Sequence, residues 1–97
     1  MVGESSRSIQ YRKARSQTMR DVQRAFETVG KVLQVSEATS TVSGRIRYGL
    51  QSTRLRVSVI EENEQRCLLQ IQGFGDDIWG GGARKATDKF VNALDAL

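Results

Sequence analysis

Histidine is absent from the 97 residues, and cysteine occurs once. The first absence removes imidazole bases, His-centred triads and His–metal sites. The second removes an internal disulfide, so nothing in the chain calls for an oxidising compartment. Long apolar runs are missing too. The longest is Cys67-Leu68-Leu69, far short of the about 20 apolar residues that a membrane-spanning helix needs. Residues 1–25 contain no apolar core of a secretory signal. These absences point to the cytoplasm and to no membrane partner.

What is present fits one globular domain over residues 1–97. Hydrophobic residues make up 38% and charged residues 27%, too apolar for a disordered polymer. A chain of this length encloses one core. Residues 1–7 are polar and are expected to fray. The net charge is +4, and it is local. Residues 1–24 hold Arg7, Arg12, Lys13, Arg15, Arg20 and Arg24 against Glu4 and Asp21, whereas residues 25–97 balance nine bases with nine acids. Arginine outnumbers lysine eleven to four. Guanidinium forks suit phosphate and carboxylate partners, though genome composition also shifts arginine usage.

Hydrophobic spacing sets the elements. Ser8-Ile9-Gln10-Tyr11-Arg12 alternates, which predicts a first strand with Ile9 and Tyr11 inward. Met19, Val22, Phe26 and Val29 recur at three and four, which predicts a helix over Ser16–Val29. Ser16 or Thr18 would cap it, Asp21 would complete a capping box, and Gly30 would end it in the left-handed region. Arg20 and Arg24 fall off the stripe.

From Lys31 to Phe74 the period becomes two. Val32, Leu33 and Val35 open a strand, Ser40–Ser43 reads as a turn, and Arg45–Tyr48 alternates. Gly49–Thr53 reads as a loop, Arg54–Val59 alternates again, Glu61–Gln65 makes a charged turn, and Gln65–Phe74 is the last strand. A hairpin centred on Asn63 would pair Val59 with Cys67, Val57 with Leu69 and Leu55 with Ile71. The preceding hairpin would pair Tyr48 with Leu55 and Ile46 with Val57. One apolar face results: Ile46, Tyr48, Leu55, Val57, Val59, Cys67, Leu69 and Ile71. Gly73–Gly82 holds five of the nine glycines and reads as a loop. A second helix follows with Ala83, Ala86, Phe90, Leu94 and Leu97 on its stripe.

The order β-α-β-β-β-β-α, with one apolar stripe per helix, predicts an α+β two-layer sandwich. Its sheet is mainly antiparallel, with both helices on one face. In element order it resembles the TATA-binding-protein half-repeat and the smaller relatives of helix-grip folds. The resemblance carries no sequence motif, so no functional residue transfers with it.

Residues able to do chemistry are few. Cys67 falls on the inward face and reads as a structural thiol, because a reactive thiol needs an exposed electropositive setting. Asp76-Asp77 reads as a turn former. Glu61, Glu62 and Glu64 keep a hairpin tip solvated. Gly75-Asp76-Asp77-Ile78-Trp79-Gly80-Gly81 has a phosphate loop's first spacing but Gly81 in place of its lysine, and Ile78 takes the third glycine of a dinucleotide pattern. No enzyme activity, metal or cofactor is implied.

Three binding features remain. Arg84 and Lys85 would lie in the first turn of the second helix, where cations oppose the dipole and, with Gly80–Gly82, would suit an anion. Asp76 and Asp77 could equally neutralise them. Trp79 would plug the open end of the sandwich, or line a ligand pocket with Phe74 and Tyr11. On the outward face, Arg47 would oppose Arg56, Arg45 would oppose Ser58, and Arg54 and Arg56 would oppose Gln72 and Gln70. Facing like charges destabilise a sheet. An Arg/Gln face at that cost points to an acidic protein or nucleic-acid backbone, against the plain reading of a solvated sheet face.

The leading expectation is therefore a binding module for an anionic partner. The rivals are a small-ligand domain with a pocket between sheet and C-terminal helix, and a homo-oligomeric structural role. Oligomeric state, and the order of strands in the sheet, stay open.

Overall fold

The alternation between Lys31 and Phe74 does what a two-residue period requires: it puts apolar side chains on one side of a sheet and polar ones on the other. The computed structural model describes residues 3–48, 51–75 and 81–97. The strands are β1 (Gly3–Tyr11), β2 (Gly30–Ser36), β3 (Thr41–Tyr48), β4 (Gln51–Asn63) and β5 (Arg66–Gly75). The helices are α1 (Arg15–Val29) and α2 (Gly81–Asp95). All pairings are antiparallel, in the spatial order β1-β5-β4-β3-β2.

Both helices lie on one face and enclose the core with it. Val42, Ile46, Leu55, Val57, Val59, Cys67, Leu69 and Ile71 supply the sheet side, and Met19, Val22, Ala25, Phe26, Ala86, Phe90 and Leu94 the helix side. The α+β two-layer sandwich is therefore as expected. Phe26 and Phe90 join the helices, with ring centroids 4.6 Å apart. Leu97, expected on the α2 stripe, is exposed past the helix end. Arg20 and Arg24 are exposed, as their spacing required.

Three local details differ from expectation. Residues 3–7 are not a frayed tail, because β1 pairs with β5 from Gly3 opposite Gly75 onward. Ala14 is the N-cap of α1 and makes no side-chain cap bond. Thr18 Oγ1 instead donates to Ala14 O at 2.8 Å, and Asp21 turns into the protein. Gly30 has φ −179°, an extended value, so left-handed geometry does not explain it. Its need is closeness: a Cβ there would lie 1.7 Å from Arg45 O.

The hairpins also slip, each by an even number of residues. Val57 pairs with Ile71 and Val59 with Leu69, because the turn is tightened to Glu64-Gln65 between Asn63 and Arg66 and a β-bulge between Glu61 and Asn63 takes up one further residue, which makes the slip even. Asn63 Oδ1 accepts the Gln65 N–H at 2.8 Å. Leu55 pairs with Gly44 and Ile46 with Thr53, because β4 begins at Gln51, inside the expected loop. Ser40 lies in the β2–β3 turn as expected, with φ +53°, but Thr41, Val42 and Ser43, read as part of that turn, are in β3, and Val42 is buried in the core. Arg15 Nε donates to Ser40 Oγ at 2.7 Å and ties that turn to the start of α1. An even slip exchanges partners without exchanging faces, so the inward set survives. Tyr48 pairs with Gln51, and its side chain lies outside the description.

Candidate binding site on the outer face of the sheet

Read across the strands, the outer face is a set of rows. Lys31, Arg45, Arg54 and Phe74 are successive partners in one row. Gln34, Ser43, Arg56, Gln72 and Ser6 form the next. Ser36, Thr41, Ser58, Gln70 and Ser8 form the third. Arg47, opposite Ser52, lies beyond the first row.

The four arginines named from the sequence therefore share one exposed surface. Their pairings change, however. Arg45 opposes Arg54 and Ser43 opposes Arg56, because of the register slip. Lys31 adds a fifth cation that alternation had not singled out. The register also sets Glu4 of β1 opposite Phe74, at the far end of the first row from Lys31, and none of the five cations has a carboxylate partner among the described residues.

A hollow of about 330 Å³ opens here, lined by Leu33, Gln34, Ser43, Arg54, Arg56 and Phe74. Its walls have distinct origins. A β-bulge between Val32 and Gln34 interrupts the β2–β3 register at Leu33, and such a bulge re-aims a side chain. Phe74, two residues beyond the last polar outward position of β5, supplies the opposite wall. Arg56 is held in place: Nη2 donates to Gln72 Oε1 at 3.0 Å, and the guanidinium lies 5.7 Å from the Phe74 ring centroid. A cation over an aromatic face is attracted to it. Arg54 sits beside it with no such tether among the described residues. The arrangement offers two guanidinium forks, amide and hydroxyl groups, and two apolar walls.

A wider groove of about 670 Å³ lies between the β1–α1 link and the β4–β5 turn, lined by Arg12, Lys13, Gln17, Asn63, Glu64 and Arg66, among others. Size alone does not make it the better site. Lys13 is already paired with Asp21 at 2.8 Å and Arg66 with Glu62 at 3.3 Å. Of the three cations, Arg12 alone has no carboxylate partner among the described residues, whereas none of the five on the sheet face has one.

The other sequence candidates do not converge. Phe74 is on the outer face, whereas Tyr11 is on the helix side, opposite Cys67 at the far end of β5. Seven residues of strand separate their positions on β5, roughly 23 Å at the usual rise per residue. Tyr11 instead donates to Asp21 Oδ2 at 2.6 Å. Lys13 and Gln17 complete the shell of that carboxylate. Burial would raise the Asp21 pKa, but the Lys13, Tyr11 and Gln17 donors outweigh it and hold the group below its ordinary range. Burial first, then the hydrogen bond to Asp21 and the charge of that group, push the Tyr11 phenol up. Trp79, with Asp76, Asp77 and Gly80, lies outside the described residues. Arg84 and Lys85 are exposed in the first turn of α2, which packs on the opposite side of the sheet from the arginine rows. Cys67 is buried, with Sγ 3.5 Å from Lys13 O.

No protein-family model matches the sequence, and no curated protein does. Solved structures share the fold. A START superfamily protein from Mycobacterium smegmatis superposes with a TM-score of 0.68 over 96% of this chain and 94% of its own, at 10% identity. A protein from Thermobifida fusca solved by solution NMR gives a TM-score of 0.58 over 97% and 86%, at 9% identity. At such identity the likeness is one of fold.

Proposed function

We propose that the protein is a small-ligand-binding domain whose site is the outer-face hollow, and that its ligand is a small organic anion. The observation that carries this is the Arg56 guanidinium fixed between Gln72 and Phe74, next to Arg54, with no carboxylate partner for either among the described residues. Guanidinium groups pair with carboxylate and phosphate in two parallel hydrogen bonds. Leu33 and Phe74 give the ligand's apolar part somewhere to lie. The volume matches the lower end of ordinary ligand clefts, about 300 Å³.

This moves the small-ligand reading from the sheet–helix interface to the open face. Between sheet and α2, the described residues are close packed. Ala83, Ala86, Phe90 and Leu94 are buried, and a Cβ at Gly73 would meet Ala83 Cβ at 3.2 Å. A nucleic-acid strand fits the face less well, since Phe74 is the one aromatic among the described residues lining the hollow and successive bases need successive stacking partners. A binding role, not a catalytic one, is the reading these residues support.

The test is a fluorescence titration with the aromatic sulfonate 1-anilinonaphthalene-8-sulfonate. Saturable binding is expected, weakened about tenfold by Arg56→Ala, consistent with the 1.5–3 kcal/mol typical of a charged hydrogen bond. Unchanged affinity in both Arg56→Ala and Phe74→Ala would remove the site.

A further inference from the structure

The hollow uses only part of the positive charge on its face. Lys31, Arg45 and Arg54 are direct partners across three adjacent strands. Neighbouring strands lie about 4.8 Å apart, so three cations stand in line over about 10 Å. Direct like-charge partners cost stability, and here two such pairs are consecutive. Arg56 sits one row away, two residues from Arg54 on the same strand. Each of these side chains is exposed, and no described acid interrupts them.

A ligand with one negative charge meets Arg54 and Arg56 at the hollow and leaves Lys31 and Arg45 unneutralised. A ligand whose charge extends along the row relieves both repulsive pairs. Resting on the small-ligand reading above, we propose that the ligand's head is multiply charged, a pyrophosphate or bisphosphate group. It would lie along Lys31, Arg45 and Arg54, with an apolar tail between Leu33 and Phe74. Gln34 and Ser43, beside the row, would donate to its remaining oxygens.

Competition against the bound naphthalenesulfonate tests this. Sodium pyrophosphate should displace the dye at a concentration at least about tenfold below that of sodium phosphate, a difference of about 1.4 kcal/mol. Lys31→Gln and Arg45→Gln should each erase most of that preference while weakening dye binding less than Arg56→Ala does, because neither residue lines the hollow. Equal potency of the two salts, or a preference untouched by both variants, would overturn the multivalent head while the dye still reports the hollow. Failure of the dye itself to bind would overturn the parent reading instead. Co-sedimentation with phosphatidylcholine vesicles containing phosphatidic acid, reversed by pyrophosphate, would assign the group to a lipid head. Pyrophosphate binding without co-sedimentation would assign it to a soluble phosphate ester. Tighter binding of a dT20 oligonucleotide than of pyrophosphate at equal phosphate concentration would replace the small polyanion with a nucleic-acid strand and overturn the proposal.

Discussion

Arg45 and Arg54 stand directly opposite each other on β3 and β4, both exposed, with no described carboxylate paired to either. The arrangement opposes folding and favours an anion. Replacing Arg45 with Gln should therefore stabilise the free protein by roughly 0.2–1 kcal/mol. Urea unfolding at low salt would show the gain, and added salt should shrink it as the repulsion is screened. A loss of stability in Arg45→Gln would mean that the pair is not repulsive.

Gly44 is the seat of Phe26. A Cβ at Gly44 would lie 2.3 Å from Phe26 Cδ1, and Phe26 in turn packs against Phe90. Gly44→Ala must displace the ring that joins both helices, so a loss of about 1–3 kcal/mol is expected. Gly30→Ala should cost more. Its Cβ would meet the Arg45 carbonyl rather than a side chain able to rotate. Chemical denaturation of the two variants checks the order, and equal stability to wild type in both would contradict the packing described.

Asp21 makes stability depend on acid. Its folded pKa lies below its ordinary value, because the Lys13, Tyr11 and Gln17 donors overcome the effect of burial. The unfolded carboxyl titrates near about 4. Stability from this group is present above that pH and is lost as pH falls through the lower folded value. Asp21→Asn should cost about 1.5–3 kcal/mol at pH 7, and the gap from wild type should close below about pH 4. Unfolding curves from pH 3 to 7 measure this; a gap constant with pH would show that the charge is not involved. Tyr11, whose pKa is raised, acts in the opposite range. Its contribution is full below about pH 10 and is lost as pH rises further.

Some of the candidate site was legible and some was not. Arg45, Arg47, Arg54 and Arg56 could be assigned to one outward surface because alternation sorts residues by parity. Lys31 could have been added on the same ground. The row they form depends on register, which the start of β4 at Gln51 decides for Arg45 and Arg54, and the Glu64-Gln65 turn with the bulge between Glu61 and Asn63 decides for Phe74. Leu33 carried no signal, since a bulge breaks the parity that would have assigned it. Asp21 looked like a capping acid by spacing alone. Only the strand that brings Tyr11 over α1 gives it buried donors.

The amino-acid order alone determined the two-layer α+β class, the inward set on β4 and β5, and most of the apolar stripe of each helix, because burial follows periods of 2 and 3.6 residues that need no partner to be read. The strand order β1-β5-β4-β3-β2, the line of Lys31, Arg45 and Arg54, and the wall that Phe74 makes beside Arg56 were decided by tertiary structure. Shifting a strand by two residues leaves every hydrophobic side chain on the same face of the sheet. Burial therefore cannot choose among such registers, and turn geometry and close packing around Gly30 and Gly44 must choose instead.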